Sequence, residues 1–345
     1  MAELSIIIPF CIEFPQVMFT VNNLYCELMD EGIDFEIICI DNLCKEVLEQ
    51  QIAYYPRPSG NELPPKEMLE IPGEKPFQIP RTARVRRKED AGTAIMFSHQ
   101  KNHSWLHTIK YDKKLSHWQA KNAGVQASTG KILWFCDAHC LVSKNALVKM
   151  FKYYKEYHEA LNGTLHMPLS YMMDRPGGRL IYKLVDDLER GIVHYSFTGY
   201  REAEEPYKVP CMSTCGMMMT RELYDQVGGW PVELGIYGGG ENFMNFTLAV
   251  LGKIINIFPG LPLFHYAAKR GYNWNYTDFH RNRFISSFMY GGEDFARKYI
   301  SYVKGRPGVW DKIIKETLPL CRKHRDKITN AQVMTIEEWV AMQRA

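Results

Sequence analysis

Two β-branched runs, LSIIIPF (4–10) and DFEIICIDN (34–42), enclose a segment whose apolar residues recur at helical spacing and which stops at Gly32. That order of periods predicts strand, helix, strand. A βαβ opening commits a chain to a largely parallel sheet flanked by helices. In such open α/β sheets, ligands collect in the crevice beyond the carboxyl ends of the strands. With 345 residues the chain can bury a full core, and one large domain carrying insertions is the expected arrangement.

The stretch KILWFCDAHC (131–140) is an apolar run that stops at Asp137, with His139 two residues on. A buried strand tolerates a carboxylate best at its end, so both residues are expected at a carboxyl edge. The alternative is an ordinary strand end with two solvated polar groups. A later run, IINIFPGLPLFH (254–265), reads as a strand that delivers His265. One carboxylate and two imidazoles suit a first-row divalent ion such as manganese, with magnesium as the alternative, and leave positions open for substrate oxygens. Cys136, His139, Cys140, Cys211 and Cys215 offer a rival zinc site, but their spacing fits no zinc motif and buried thiols are the simpler reading. YGGGENF (237–243) is a glycine loop entering a helix. It either approaches a substrate closely or simply makes the turn, with Glu241 and Asn242 as caps.

Elsewhere the pattern is uneven. Residues 55–82 hold seven prolines and little periodicity, followed by a basic stretch that contains Arg81, Arg84, Arg86, Arg87 and Lys88. Helices are expected up to Gly130 and over 144–161, a strand over TLHMPLSYM (164–172), and helices through a basic tail from 278 onward; 174–210 resists assignment. The net charge of +3 says little about partners. No run reaches the length of a membrane span, and the start lacks the features of a signal peptide, so a soluble cytoplasmic protein is expected. Nine cysteines without regular spacing fit reduced thiols.

Taken in order, SIIIPF, EIICIDN, AKNAGVQASTGKILWFCDAHC, GGW and GGGENFMNFTLAVLGKIINIFPGLPLFH resemble a GT-A glycosyltransferase of the family 2 type. They are most similar to the related family 27, the polypeptide N-acetylgalactosaminyltransferases, which combine an Asp-x-His motif, GGEN and a further histidine. The resemblance covers roughly 4–44 and 117–275. It implies a Rossmann-like GT-A catalytic domain over 1–277 with a basic, Pro-rich insertion at about 50–115, followed by a helical C-terminal extension at 278–345. It also implies transfer of a sugar from a nucleotide sugar, such as a UDP-sugar, to a hydroxyl. Asp137, His139 and His265 would then hold the metal. Pro9, Phe10 and Asp41 would line the base and ribose pocket, Lys121 and Asn122 the donor, and Gly216 and Met217 the strand behind it. Lys269 and Arg270 would close over the diphosphate, and Glu241 would approach sugar or acceptor. Asn242 replaces the aspartate base of inverting members and cannot take a proton, which points to retention.

The core motifs do not name the acceptor. A saccharide or other hydroxyl compound is expected. The alternative is hydroxymethylated pyrimidine in DNA, as for bacteriophage-type glycosyltransferases, with the arginines of the insertion tracking phosphates. A nucleotidyltransferase or a non-catalytic module of the same fold ranks lower, because no phosphate loop follows the first strand and the three metal-type residues are intact.

Overall fold

The structure, a computed structural model, describes residues 2–11, 13, 16–44, 96, 100–171, 178–266, 275–303 and 308–345, with the backbone of 68–69 and 77–78. In chain order the elements are β1 (Leu4–Phe10), α1 (Gln16–Leu28), β2 (Phe35–Asp41), β3 (Met68–Leu69), β4 (Phe77–Gln78) and β5 (Leu106–Lys110). Then come α2 (His117–Ala127), β6 (Ile132–Phe135), β7 (Cys140–Val142), α3 (Ala146–Leu161), β8 (Gly163–His166) and β9 (Leu169–Ser170). The hairpin β10 (Leu180–Asp187) and β11 (Ile192–Gly199) precedes β12 (Tyr207–Val209), β13 (Met217–Thr220), α4 (Arg221–Val227) and α5 (Gly240–Val250). The chain ends with β14 (Ile254–Ile257), β15 (Leu263–His265), α6 (Tyr276–Tyr302), α7 (Val309–Ala331) and α8 (Ile336–Arg344).

The main sheet has the order β12-β14-β8-β13-β6-β1-β2-β5. Its β1 pairs in parallel with both β2 and β6, as the βαβ opening requires. β1 and β6 are buried along their whole length, which is why they read as unbroken apolar runs rather than alternating ones. β13 enters antiparallel between β6 and β8, so the sheet is mixed. A second sheet, β11-β10-β9-β15-β7, stands beyond the carboxyl end of β6. Residues of α6, α7 and α8 share the core cluster with the main sheet, through Phe284, Ile314 and Trp339 among others.

Two expectations change in detail. IINIFPGLPLFH is two strands in different sheets, split at Phe258–Pro262, because the prolines and Gly260 break the ladder. TLHMPLSYM likewise divides into β8 and β9. The unassigned 174–210 contains the β10–β11 hairpin, paired from Leu180↔Gly199 to Asp187↔Ile192. Among the described residues no helix is long and apolar enough to cross a membrane.

Candidate active site

β6 ends at Phe135, and the chain leaves the sheet edge through Asp137 and His139 into β7. β7 pairs antiparallel with β15 in the register His265↔Cys140, and Tyr266 N donates to His139 O at 2.9 Å. This crossing brings two sequence-distant imidazoles together, with the rings of His139 and His265 4.7 Å apart, edge to face. The Nε2 of His265 lies 3.2 Å from Asp137 Oδ2. On the other carboxylate oxygen, Lys121 Nζ donates to Oδ1 at 3.3 Å. Lys121 is 1 % exposed, and its ammonium lies 5.3 and 5.9 Å from the ring centres of Trp118 and Trp230, beside the pair.

Burial alone would raise the pKa of Asp137, but the Lys121 ammonium and His265 outweigh it and hold the carboxyl well below its usual range. Burial would likewise lower Lys121, and Asp137 reverses that. The site therefore carries an ionised carboxylate with two imidazoles beside it, open to the cleft at Asp137, whose side chain is 29 % exposed. That donor set suits a first-row divalent cation.

Glu241 opens α5 and faces a different set of partners. Ser213 Oγ donates to its Oε1 at 2.9 Å, and the Tyr195 hydroxyl donates to Oε2. The three glycines before it have local reasons. Gly238 and Gly239 take positive φ of 82° and 80°, and a Cβ on Gly240 would lie 2.2 Å from Trp118. Helix α6 braces this turn, with Ser286 Oγ donating to Gly239 O at 2.6 Å and Asn282 Nδ2 to Tyr237 O at 2.7 Å. The glycine loop is thus explained by the turn and its packing.

Asn242 sits one residue on but turns away. It is buried, its Nδ2 donates to Val193 O at 3.0 Å, and its Oδ1 faces His194 Nδ1 at 3.4 Å. Burial, then Arg283, pushes the pKa of His194 down to about 4. Asn242 therefore anchors α5 to β11 rather than standing beside Glu241 in the cleft.

The other expected residues divide. Phe10 and Asp41 are register partners at the carboxyl edge of β1 and β2, and Asp41 Oδ1 accepts from Leu43 N at 2.9 Å. Pro9 is buried within β1. Gly216 N donates to Phe135 O at 2.8 Å, which ties the start of β13 to the end of β6, whereas the Met217 side chain is wholly buried in the core. Asn122 is not at the donor side of α2. Its amide is taken by Trp230 N and O, Gln119 and Tyr224, and it lines a separate surface groove of about 940 Å³ with Arg221 and His324. Lys269, Arg270, Arg81, Arg84, Arg86, Arg87 and Lys88 lie outside the described residues.

The hairpin adds groups that the sequence reading did not single out. Tyr195 stacks on Tyr182 at 4.4 Å, Tyr182 meets Phe197 edge-on at 5.2 Å, and Phe197 meets Tyr171, which in turn packs against His265 at 5.3 Å. This aromatic wall runs from Glu241 to His265, and Phe197, midway along it, is 49 % exposed. Alternation of Val193, Tyr195 and Phe197 with His194, Ser196 and Thr198 was the available signal for the second strand, whereas LIYKLVDD does not alternate.

Residues 88–228 match the family described as Glycosyl transferase family 2. The chain carries a glycosyl transferase family 2 domain. N-acetylgalactosaminyltransferase 6 of Drosophila melanogaster is 23 % identical over 158 residues, 43 % of this chain and 23 % of that protein. The chain spans about a quarter of the length of the curated relatives it matches. Among solved structures, GalNAc-T7 with UDP, GalNAc and Mn2+ superposes with a TM-score of 0.57 at 15 % identity, covering 91 % of this chain and 54 % of that one. That likeness establishes the GT-A fold for the glycosyl transferase family 2 domain described above.

Proposed function

We propose that the chain is a metal-dependent glycosyltransferase that moves a sugar from a UDP-sugar to an acceptor hydroxyl with retention of configuration. The convergence of Asp137 and His139 with His265, from two separate points of the chain, carries this reading. These three residues would hold a manganese or magnesium ion, which when bound would offset charge on the diphosphate leaving group. The GalNAc-T7 structure, which holds UDP, GalNAc and Mn2+, supports the choice of donor and metal. Residues 1–277 would form the catalytic domain and 278–345 a helical brace.

In the reaction the acceptor oxygen attacks the anomeric carbon on the face from which the phosphate departs. The carbon–oxygen bond to phosphate breaks, its electron pair leaves with UDP, and the acceptor proton passes to a phosphate oxygen. Lys121 keeps Asp137 ionised and places a fixed positive charge beside it. Glu241, held by Tyr195 and Ser213, orients hydroxyls of sugar or acceptor. Position 242 is an asparagine, which cannot take a proton as the aspartate base of an inverting reaction would, and it is anchored to β11, which supports retention.

The aromatic wall favours a saccharide acceptor, whose apolar ring faces pack on exposed aromatic rings. Around it, residues 179–208 hold six Asp or Glu and five Lys or Arg, a balance that offers no track for phosphates. The test is a panel of UDP-sugars with manganese, offered saccharides or duplex DNA containing 5-hydroxymethylcytosine, with NMR of the product's anomeric centre. Release of UDP with a retained linkage to saccharide is expected. Label on the DNA would overturn the acceptor, an inverted product the stereochemistry, and no release of UDP from any donor the activity.

A further inference from the structure

Three cysteines converge behind the Asp137–His265 edge. Cys136 follows β6, Cys140 opens β7 and Cys215 precedes β13, and their sulfurs all lie within 4.8 Å of one another. Cys140 Sγ and Cys215 Sγ are 3.4 Å apart although 75 positions separate them in the chain. The topology brings them together: Gly216 N bonds to Phe135 O, so the residue before it falls beside the residue after β6. Cys211, in the same loop as Cys215, and His139 are not in this group.

A single buried thiol is an ordinary small apolar residue. Three in one shell are a different object, because metal–thiolate bonds of about 2.3 Å place the sulfurs of one site roughly 3.8–4.0 Å apart. The sulfurs of Cys140 and Cys215 at 3.4 Å, with every pair within 4.8 Å, are close enough to share one such site. The residues are 0, 1 and 3 % exposed, so a cation among them would be closed off from water. Thiolates select soft cations, whereas the carboxylate and imidazoles next door suit a harder one.

We propose that Cys136, Cys140 and Cys215 form a thiolate site for one thiophilic d10 cation of the zinc class, distinct from the Asp137, His139 and His265 set. Each thiol releases its proton to solvent as its metal–sulfur bond forms, and no electron is transferred. The cation would tie together the two strand ends that carry Asp137 and His139 and the loop that carries Ser213. Cys215 Sγ is also within 4.8 Å of ligand atoms of Asp137 and His265, so the two sites are neighbours that share a wall.

The experiment is a titration of the reduced, metal-stripped full chain with cadmium, followed by its thiolate-to-metal charge-transfer band, and with zinc, followed by X-ray absorption at the zinc edge. One saturable equivalent of the charge-transfer band is expected, with three sulfurs at about 2.3 Å around the zinc that binds first. Cys140→Ser and Cys215→Ser should each weaken cadmium binding at least roughly 100-fold, the upper end of what loss of an outer-shell partner costs. Asp137→Asn, His265→Gln and Cys26→Ser should keep the band. The zinc spectrum of the wild-type chain stands even if a serine variant fails to fold. A zinc shell of nitrogen and oxygen alone, a band lost in Asp137→Asn, or a Cys140–Cys215 disulfide formed in place of binding would each overturn the site.

Discussion

At Asp137 the fold answers a charge with other groups that can carry charge, the Lys121 ammonium at 3.3 Å and the His265 imidazole at 3.2 Å, whereas the groups that hydrogen-bond the Glu241 carboxylate among the described residues are the neutral hydroxyls of Tyr195 and Ser213. The two carboxylates stand at either end of one aromatic wall, and the difference suits different work. A carboxylate balanced by cations can exchange one cation for another, which is what a metal ligand has to do. A carboxylate held by hydroxyls keeps its orientation and its full charge toward the cleft, as a group that steers substrate hydroxyls requires.

The contrast is broken most severely by Asp137→Ala. Transfer should fall at least roughly 1000-fold, since stabilisation of leaving-group charge by a metal is worth several kcal/mol. Stability should fall too, by about 3 kcal/mol, because Lys121 would be left buried and unpaired. Adding Lys121→Met should restore most of that stability in denaturant titrations while transfer stays lost. An Asp137→Ala protein as stable as wild type would show that Lys121 does not depend on the pair. Glu241→Gln is the matching change on the neutral side. It keeps the hydroxyl contacts, so stability should move by less than about 1 kcal/mol, while transfer falls roughly 100-fold. A loss confined to stability would remove Glu241 from the chemistry.

The placing of Asp137, His139 and His265 at strand ends was legible because each ends or follows an apolar run: Asp137 and His139 after ILWF, His265 after LPLF. What secures those residues was not legible. Lys121 reaches Asp137 across 16 positions and Ser213 reaches Glu241 across 28, separations that only sheet order determines. The β10–β11 hairpin was hidden for a related reason. Its cleft-side positions are filled by Tyr182 and Tyr195, whose polar tips blur the alternation that marks a strand. The glycines of YGGGENF invite a ligand-binding reading, yet their explanation lies in Trp118, Phe279 and Asn282, far away in the chain. Met217 and Asn122 show the converse, since motif position alone does not say which way a side chain turns.

The neutral side can also be tested with pH. His166 is 1 % exposed, with Nε2 at 2.8 Å from Thr164 Oγ1 and Nδ1 at 2.9 Å from the carbonyl of Ser213, the residue that holds Glu241. Burial pushes its pKa down from 6.5 to about 4, and the Ser213 carbonyl opposes this only in part. Between those values the unfolded chain binds the proton and the folded one does not. Its contribution is therefore complete above pH 6.5, is lost as pH falls, and is exhausted near pH 4, a span worth roughly 3 kcal/mol. Denaturation midpoints of wild type and His166→Gln across that window should converge toward low pH. Parallel pH profiles would show that His166 takes up its proton as readily in the fold as in the unfolded chain, and the description of this cluster as neutral would fail.

Tyr195→Phe is the smallest and finest test, because it deletes one oxygen and leaves the ring stacked on Tyr182. Glu241 keeps the Ser213 hydroxyl, so the cost in stability should be about 1 kcal/mol, that of one hydrogen bond to a charged acceptor partly replaced by water. Catalysis should respond through orientation, with kcat down roughly ten-fold and KM for the UDP-sugar little changed. Ser213→Ala should do the same on the other carboxylate oxygen. Together the two changes should cost more than their sum, since the first leaves one hydroxyl to fix the carboxylate and the second leaves none. If instead the double variant is additive and KM carries the loss, the hydroxyls contribute to donor binding directly and Glu241 needs neither of them to hold its place.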